Sequence, residues 1–78
     1  MSDKLPVVSG RDVVKTLTKM GYIVVRQRGS HLRLEHQKDR QKKKITVPDH
    51  KVLGKGLLCK ILRDAELSVD EFIRTMKS

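Results

Sequence analysis

Aromatic surface is scarce in this chain: one tyrosine, one phenylalanine and no tryptophan among 78 residues. A platform that stacks unpaired bases on aromatic rings is therefore excluded. The single cysteine, Cys59, excludes an internal disulfide. With no Cys-x-x-Cys pair or clustered Cys/His spacing, no metal is expected. Also missing are a Walker loop, a Gly-x-Gly-x-x-Gly turn, a serine-centred nucleophile elbow and a carboxylate pair at active-site spacing. Those absences argue against nucleotide hydrolysis, dinucleotide chemistry and triad catalysis, and no cofactor is expected. No apolar run is long enough to span a bilayer, and Met1 to Gly10 is too poor in apolar residues for a cleaved leader. A reducing, cytoplasmic home with no membrane partner is the resulting expectation, since no segment sets a basic face against one rich in Trp, Phe or Leu.

What the chain does have is positive charge. Eighteen Lys and Arg stand against nine Asp and Glu, a formal +9, and the pI is near 10. Such an excess on a small surface concentrates polyanions and favours release of counterions from phosphates. Nucleic acid is the first partner this suggests; an acidic protein is the second. A chain of this length makes one domain, 1–78, and buries only about 60% of its unfolded surface, leaving little core for a deep pocket.

The hydrophobic pattern changes period along the chain. Residues 1–8 read as a loose lead-in, with Pro6 discouraging helix before it. Ser9 with Asp12 forms a capping-box pair, and Val13, Val14, Leu17 and Met20 recur at helical spacing up to Gly21. Tyr22 to Arg28 is rich in β-branched residues, Gly29-Ser30 is a turn, and His31 to His36 alternates with Leu32 and Leu34 on one face. A polar loop from Gln37 to Lys42 leads to a third strand in which Ile45 and Val47 alternate with Lys44 and Thr46, ending at Pro48. Helical spacing returns with Leu57, Leu58, Ile61, Leu62 and Ala65, with Cys59 near the edge of the stripe. A second capping box, Ser68 with Glu71, opens a short last helix carrying Val69, Phe72, Ile73 and Met76. The predicted fold is α+β in two layers: a three-stranded antiparallel meander packed on helices, in the order α-β-β-β-α with a short C-terminal helix.

That layering assigns the polar face of the sheet. If helices cover Leu32, Leu34, Ile45 and Val47, then His31, Arg33, Glu35, Lys44 and Thr46 face outward. His31 follows the turn directly, and an exposed imidazole can serve as general acid or base near neutral pH. Cleavage of an RNA phosphodiester needs little more, because the 2′-hydroxyl is an internal nucleophile and cations can steady the crowded phosphate. Arg26, Arg28, Arg33 and Lys44 are the candidate cations, and backbone N–H groups at Gly29 and Ser30 are candidate donors. A surface histidine that merely follows a turn is the competing reading. His50, after Pro48-Asp49, is either a second group at the same edge or a loop residue paired with Asp49. His36 has the opposite parity to His31 and reads as a strand-end residue. Lys42, Lys43 and Lys44, with Lys38 and Arg40, form the densest charge; their place beside the polar sheet face favours phosphate contact over the competing reading of a solvated loop.

The order of elements, with Arg28-Gly29-Ser30-His31-Leu32 and Val47-Pro48-Asp49-His50 set within it, resembles the HicA (YcfA-like) family of messenger-RNA interferase toxins from type II toxin–antitoxin systems. The likeness runs from about Val8 to Phe72 and includes the Gly21-Tyr22 junction and the Ile61-Leu62-Arg63 run. It implies a fold like a double-stranded-RNA-binding domain, a catalytic His31 presented by Gly29 and Ser30, and a supporting position at His50. Cleavage of messenger RNA and neutralisation by a HicB-type antitoxin are implied with it. The chain departs from the family pattern at Leu57, where Thr is frequent, and at Glu66, where Gly is common. Two other readings fit the same charge: a module that holds double-stranded RNA without cutting it, and a basic face that only docks an acidic protein.

Overall fold

A computed structural model of the protein describes residues 5–78. The elements are α1 (Gly10–Lys19), β1 (Tyr22–Arg28), β2 (His31–His36), β3 (Ile45–Pro48), α2 (Lys55–Asp64) and α3 (Val69–Lys77). The strands form one antiparallel sheet in the order β1-β2-β3. This is the expected α+β arrangement.

Both expected capping boxes close. The Ser9 hydroxyl accepts the Asp12 N–H at 3.0 Å while Asp12 accepts the Ser9 N–H at 3.1 Å; Ser68 and Glu71 repeat the pair at 3.0 and 3.1 Å. Each box satisfies two N–H groups that the first helical turn leaves without intrahelical partners. Hydrogen bonding to the cap holds the Asp12 and Glu71 carboxyls below their ordinary pKa.

One apolar layer lies between the helices and the sheet. Val13 and Leu17 of α1, Leu34, Ile45 and Val47 of the sheet, Leu58, Ile61 and Leu62 of α2, and Phe72 of α3 are all buried. Burying such side chains stabilises by roughly 1.5–3 kcal/mol each before chain entropy is counted. Leu32, at the hairpin end, is only half-buried, and Cys59, expected at the margin of its stripe, is exposed.

Residues 1–4 of the lead-in lie outside the described residues. Its far end is anchored: Val8 belongs to the core, and its carbonyl accepts the Leu53 N–H at 2.9 Å. The Gly10 N–H donates to the His50 carbonyl at 2.9 Å, and a Cβ on Gly10 would overlap the Pro48 carbonyl. The start of α1 thus rests on the end of β3, which requires a residue without a side chain there.

The end of α2 is unusual. The Glu66 N–H donates to Arg63 O at 3.1 Å and the Leu67 N–H to Leu62 O at 2.9 Å, the two bonds of a Schellman motif. Its left-handed residue, commonly Gly, is here Glu66 with φ 60°. The left-handed conformation explains why Gly is favoured at this position, and Glu bears the Cβ strain that Gly avoids.

Candidate functional site

The site is built on an irregularity in β1. Tyr22 pairs with His36 and Val24 with Leu34, both on the helix side of the sheet. Simple alternation would continue that side through Arg26 and Arg28. Instead the register shifts between Val24 and Arg26, leaving Val25 as an extra residue, a β-bulge. Beyond it Arg26 pairs with Arg33, Gln27 with Leu32 and Arg28 with His31. The bulge therefore moves both arginines to the open face, and Gln27 takes the helix side. The trace of this in the sequence is the run Ile23-Val24-Val25, three β-branched residues where alternation would place polar ones on either side of Val24.

Arg26, Arg28, His31, Arg33 and Thr46 consequently line one open recess. His31 is exposed, and no described side chain hydrogen-bonds to it; nor do Arg26, Arg28 or Arg33 form an ion pair with a described carboxylate. The nearest acidic residue on this face, Glu35, is engaged by Lys44 at 3.6 Å. Three guanidiniums side by side without a counter-charge repel one another, and an anion bound between them would relieve that repulsion.

The turn that carries His31 is fixed from both sides. Gly29 has φ 58° at the first of the two turn positions, as a II′-type hairpin turn requires. Its carbonyl accepts Gln27 Nε2 at 3.3 Å, and the Ser30 carbonyl accepts the Asp49 N–H at 2.6 Å. Asp49 is itself gripped by Arg11, whose Nε and Nη2 reach its two carboxylate oxygens at 3.2 Å each. Asp49 is therefore a partner of Arg11 and not of His50. The sequence offered no sign of this link, because the two residues are far apart in the chain.

The remaining candidates divide. Lys44 continues the basic face, lining a second recess with Val25, Arg26, Arg33 and Glu35. Lys42 lies further along with Arg40, His36, Glu35 and Lys44, and pairs with Glu66 at 3.7 Å. Shared residues join these recesses into one stripe running from His31 to the loop after β2. Lys43 is drawn away to Asp64, at 3.7 Å, near the end of α2. There a hydrogen bond from Lys60, with both lysine charges nearby, holds the Asp64 carboxyl below its ordinary pKa. Exposed pairs of this kind are worth only about 0–1 kcal/mol, so a phosphate can displace them. His50 is exposed but does not line the His31 recess; its carbonyl, not its ring, has the structural partner in Gly10.

His36 is a scaffold residue. Its Nδ1 accepts the N–H groups of Lys38 (3.2 Å) and Asp39 (2.9 Å), which leaves Nε2 to donate to the Met20 carbonyl at 3.1 Å. The ring stands edge-on to Tyr22, centroids 5.1 Å apart. The Tyr22 hydroxyl is buried without a described partner, and burial raises its pKa. Among the described residues no three His, Cys, Asp or Glu side chains gather as a metal site would need, and no helix is long and apolar enough to cross a membrane.

Comparison with curated proteins returned no match. The family model described as the HicA toxin of bacterial toxin–antitoxin systems matches residues 10–67, from the first residue of α1 through the Schellman turn that closes α2. With most of the chain covered, including the whole sheet and the His31 turn, the protein belongs to the HicA toxin family.

Proposed function

We propose that this protein is an endoribonuclease that cuts messenger RNA in the cytoplasm, with His31 as its proton-transfer group, and that a HicB-like antitoxin neutralises it. The observation that carries the reading is the one recess in which an unbonded, exposed histidine lies among three arginines with no paired carboxylate. Membership of a toxin family supports it.

The chemistry follows from what that recess can supply. A phosphate diester held by Arg26, Arg28 and Arg33 has its charge balanced as the pentavalent phosphorus forms. His31 takes the proton of the 2′-hydroxyl, O2′ bonds to phosphorus, and the bond to O5′ breaks. The products are a 2′,3′-cyclic phosphate and a 5′-hydroxyl, whose proton comes from water or from the imidazolium just formed. Gly29 and Ser30 act by holding the backbone before His31. Lys44 and Lys42 extend the track for neighbouring phosphates, contacts that position the strand without reading its sequence. Lys43 and His50 lie outside the recess and have outer roles at most.

RNA and DNA of one sequence, incubated with purified protein and a chelator, test this directly. The expected result is cleavage of RNA alone, with cyclic phosphate ends, abolished by His31→Ala. Cleavage that persists in His31→Ala, or that needs a divalent metal, would overturn the mechanism. Tight, salt-sensitive RNA binding without cleavage by either protein would leave a binding module instead.

A further inference from the structure

A separate recess, of about 200 Å³, lies on the other side of the β1–β2 hairpin, lined by Arg11, Val14, Lys15, Gln27 and Leu32. Cross-strand pair Gln27–Leu32 is the immediate neighbour of pair Arg28–His31. Adjacent pairs on a ribbon face opposite ways, so the two recesses stand back to back, and only the Gly29-Ser30 turn separates them at the tip. We infer that this recess is a nucleobase subsite, and that the RNA strand passes round the hairpin tip so that a base flanking the scissile phosphate seats there. The inference rests on the proposed RNA-cleaving role of the His31 face.

The lining suits one planar ring. Val14 and Leu32 are half-buried and pack against the core, giving a fixed apolar floor. Around it stand groups suited to a ring edge. Gln27 donates through Nε2 to the Gly29 carbonyl, which orients the carboxamide and leaves Oε1 as an acceptor. Lys15 is exposed and has no described ion-pair partner, and Arg11 is held in place by Asp49. The volume is below the roughly 300–1,000 Å³ of sites that enclose a whole small molecule. An apolar floor with one amide and two cations at its edge favours a ring bearing carbonyl or ring-nitrogen acceptors, carried on an anionic chain. Charge continuity favours nucleic acid over a protein side chain: Lys15, which has no described carboxylate partner, continues past the tip the positive potential of Arg28, while the Arg11 charge is balanced by Asp49. A site that hydrogen-bonds one ring edge discriminates strongly against rings that leave its polar groups unpaired. The open face of the sheet, which carries no Tyr, Phe or Trp, in this way acquires sequence preference from the opposite side of its own hairpin.

The test uses the full chain carrying His31→Ala, so that RNA is held and not consumed, and four short RNA oligonucleotides differing at one position. Fluorescence anisotropy should show one base preferred by about tenfold or more. Lys15→Ala and Gln27→Ala should each reduce that preference to about threefold or less, and Lys15→Arg should keep most of it. Lys15 is solvent-exposed, and circular dichroism is to be recorded for each variant to check that it is folded. Equal affinity for all four oligonucleotides, or a preference the variants leave intact, overturns the subsite. So does a recess whose variants weaken only an antitoxin complex. Because the readout is binding, a wild-type protein that fails to cut RNA would sink the proposed activity while a base preference dependent on Lys15 would still uphold the subsite.

Discussion

His31 and His36 stand at the two ends of one six-residue strand, yet the fold treats them in opposite ways. His31 has a turn before it, arginines around it and no described bond to its ring. His36 has both nitrogens committed to backbone, two N–H groups into Nδ1 and one carbonyl from Nε2. The first is held only through its backbone, so its imidazole remains available to exchange protons. The second is a bracket that ties the end of α1 to the loop after β2. Composition treats these residues as equivalent; parity and the neighbouring backbone separate them.

Alanine substitution should break the comparison most sharply. His31→Ala is expected to lower RNA cleavage by about 10²–10⁴-fold, the usual worth of a positioned general acid or base. Its thermal midpoint should move little, as for a surface change within about 0.5 kcal/mol. A His31→Ala protein that cuts RNA at the wild-type rate would end the distinction. His36→Ala should do the reverse: roughly 1–3 kcal/mol less stable by urea unfolding, since two N–H groups and a carbonyl lose their partner, with cleavage per folded molecule retained. If its stability is unchanged, the bracket is not structural.

A smaller effect is expected at Glu66. Glu66→Gly relieves the left-handed strain and should raise stability by about 1 kcal/mol, less the slight contribution of the exposed Lys42 pair. It should leave cleavage untouched, which separates scaffold from site in the opposite direction from His36→Ala. The smallest effect belongs to the scaffold carboxylates. Asp12, Glu71 and Asp64 titrate lower when folded than when unfolded, so their contribution is complete above the ordinary carboxylate range. It declines as pH falls through and below about 4. Asp12→Asn with Glu71→Gln should flatten that acid-side decline in a pH series of urea melts; an unaltered decline would show that the caps do not drive it.

Much of this molecule could be read from its sequence because local rules and the fold agree. Ser9-Asp12 and Ser68-Glu71 announce their helices through backbone chemistry, and Leu34, Ile45 and Val47 announce the covered face through alternation. The Gly29-Ser30 turn and the outward parity of His31 follow from the same short-range logic. What could not be read depends on residues distant in sequence or on a break in periodicity. The Arg11–Asp49 grip joins the start of α1 to the end of β3. Lys43 leaves its neighbours because Asp64 lies across the fold, and His50 is displaced from the recess by a connection that spends its carbonyl on Gly10. Val8 enters the core because Leu53 reaches back to it. The arginines of β1 fall on the face of His31 only because a residue is added before them.

That added residue also bears on how the protein behaves in a crowd. Among the described residues β1 has a neighbour on one side only, and Ile23, Val24 and Val25 are each more than 40% exposed on it. An apolar border strand of this kind is an invitation to aggregation, ready to accept a strand from another molecule. Val25 interrupts the regular spacing of amides that such a visitor would need, and the arginines beyond it confront any second copy with like charge. The irregularity that turns two arginines to one surface of the sheet therefore also opposes strand-to-strand pairing at its border.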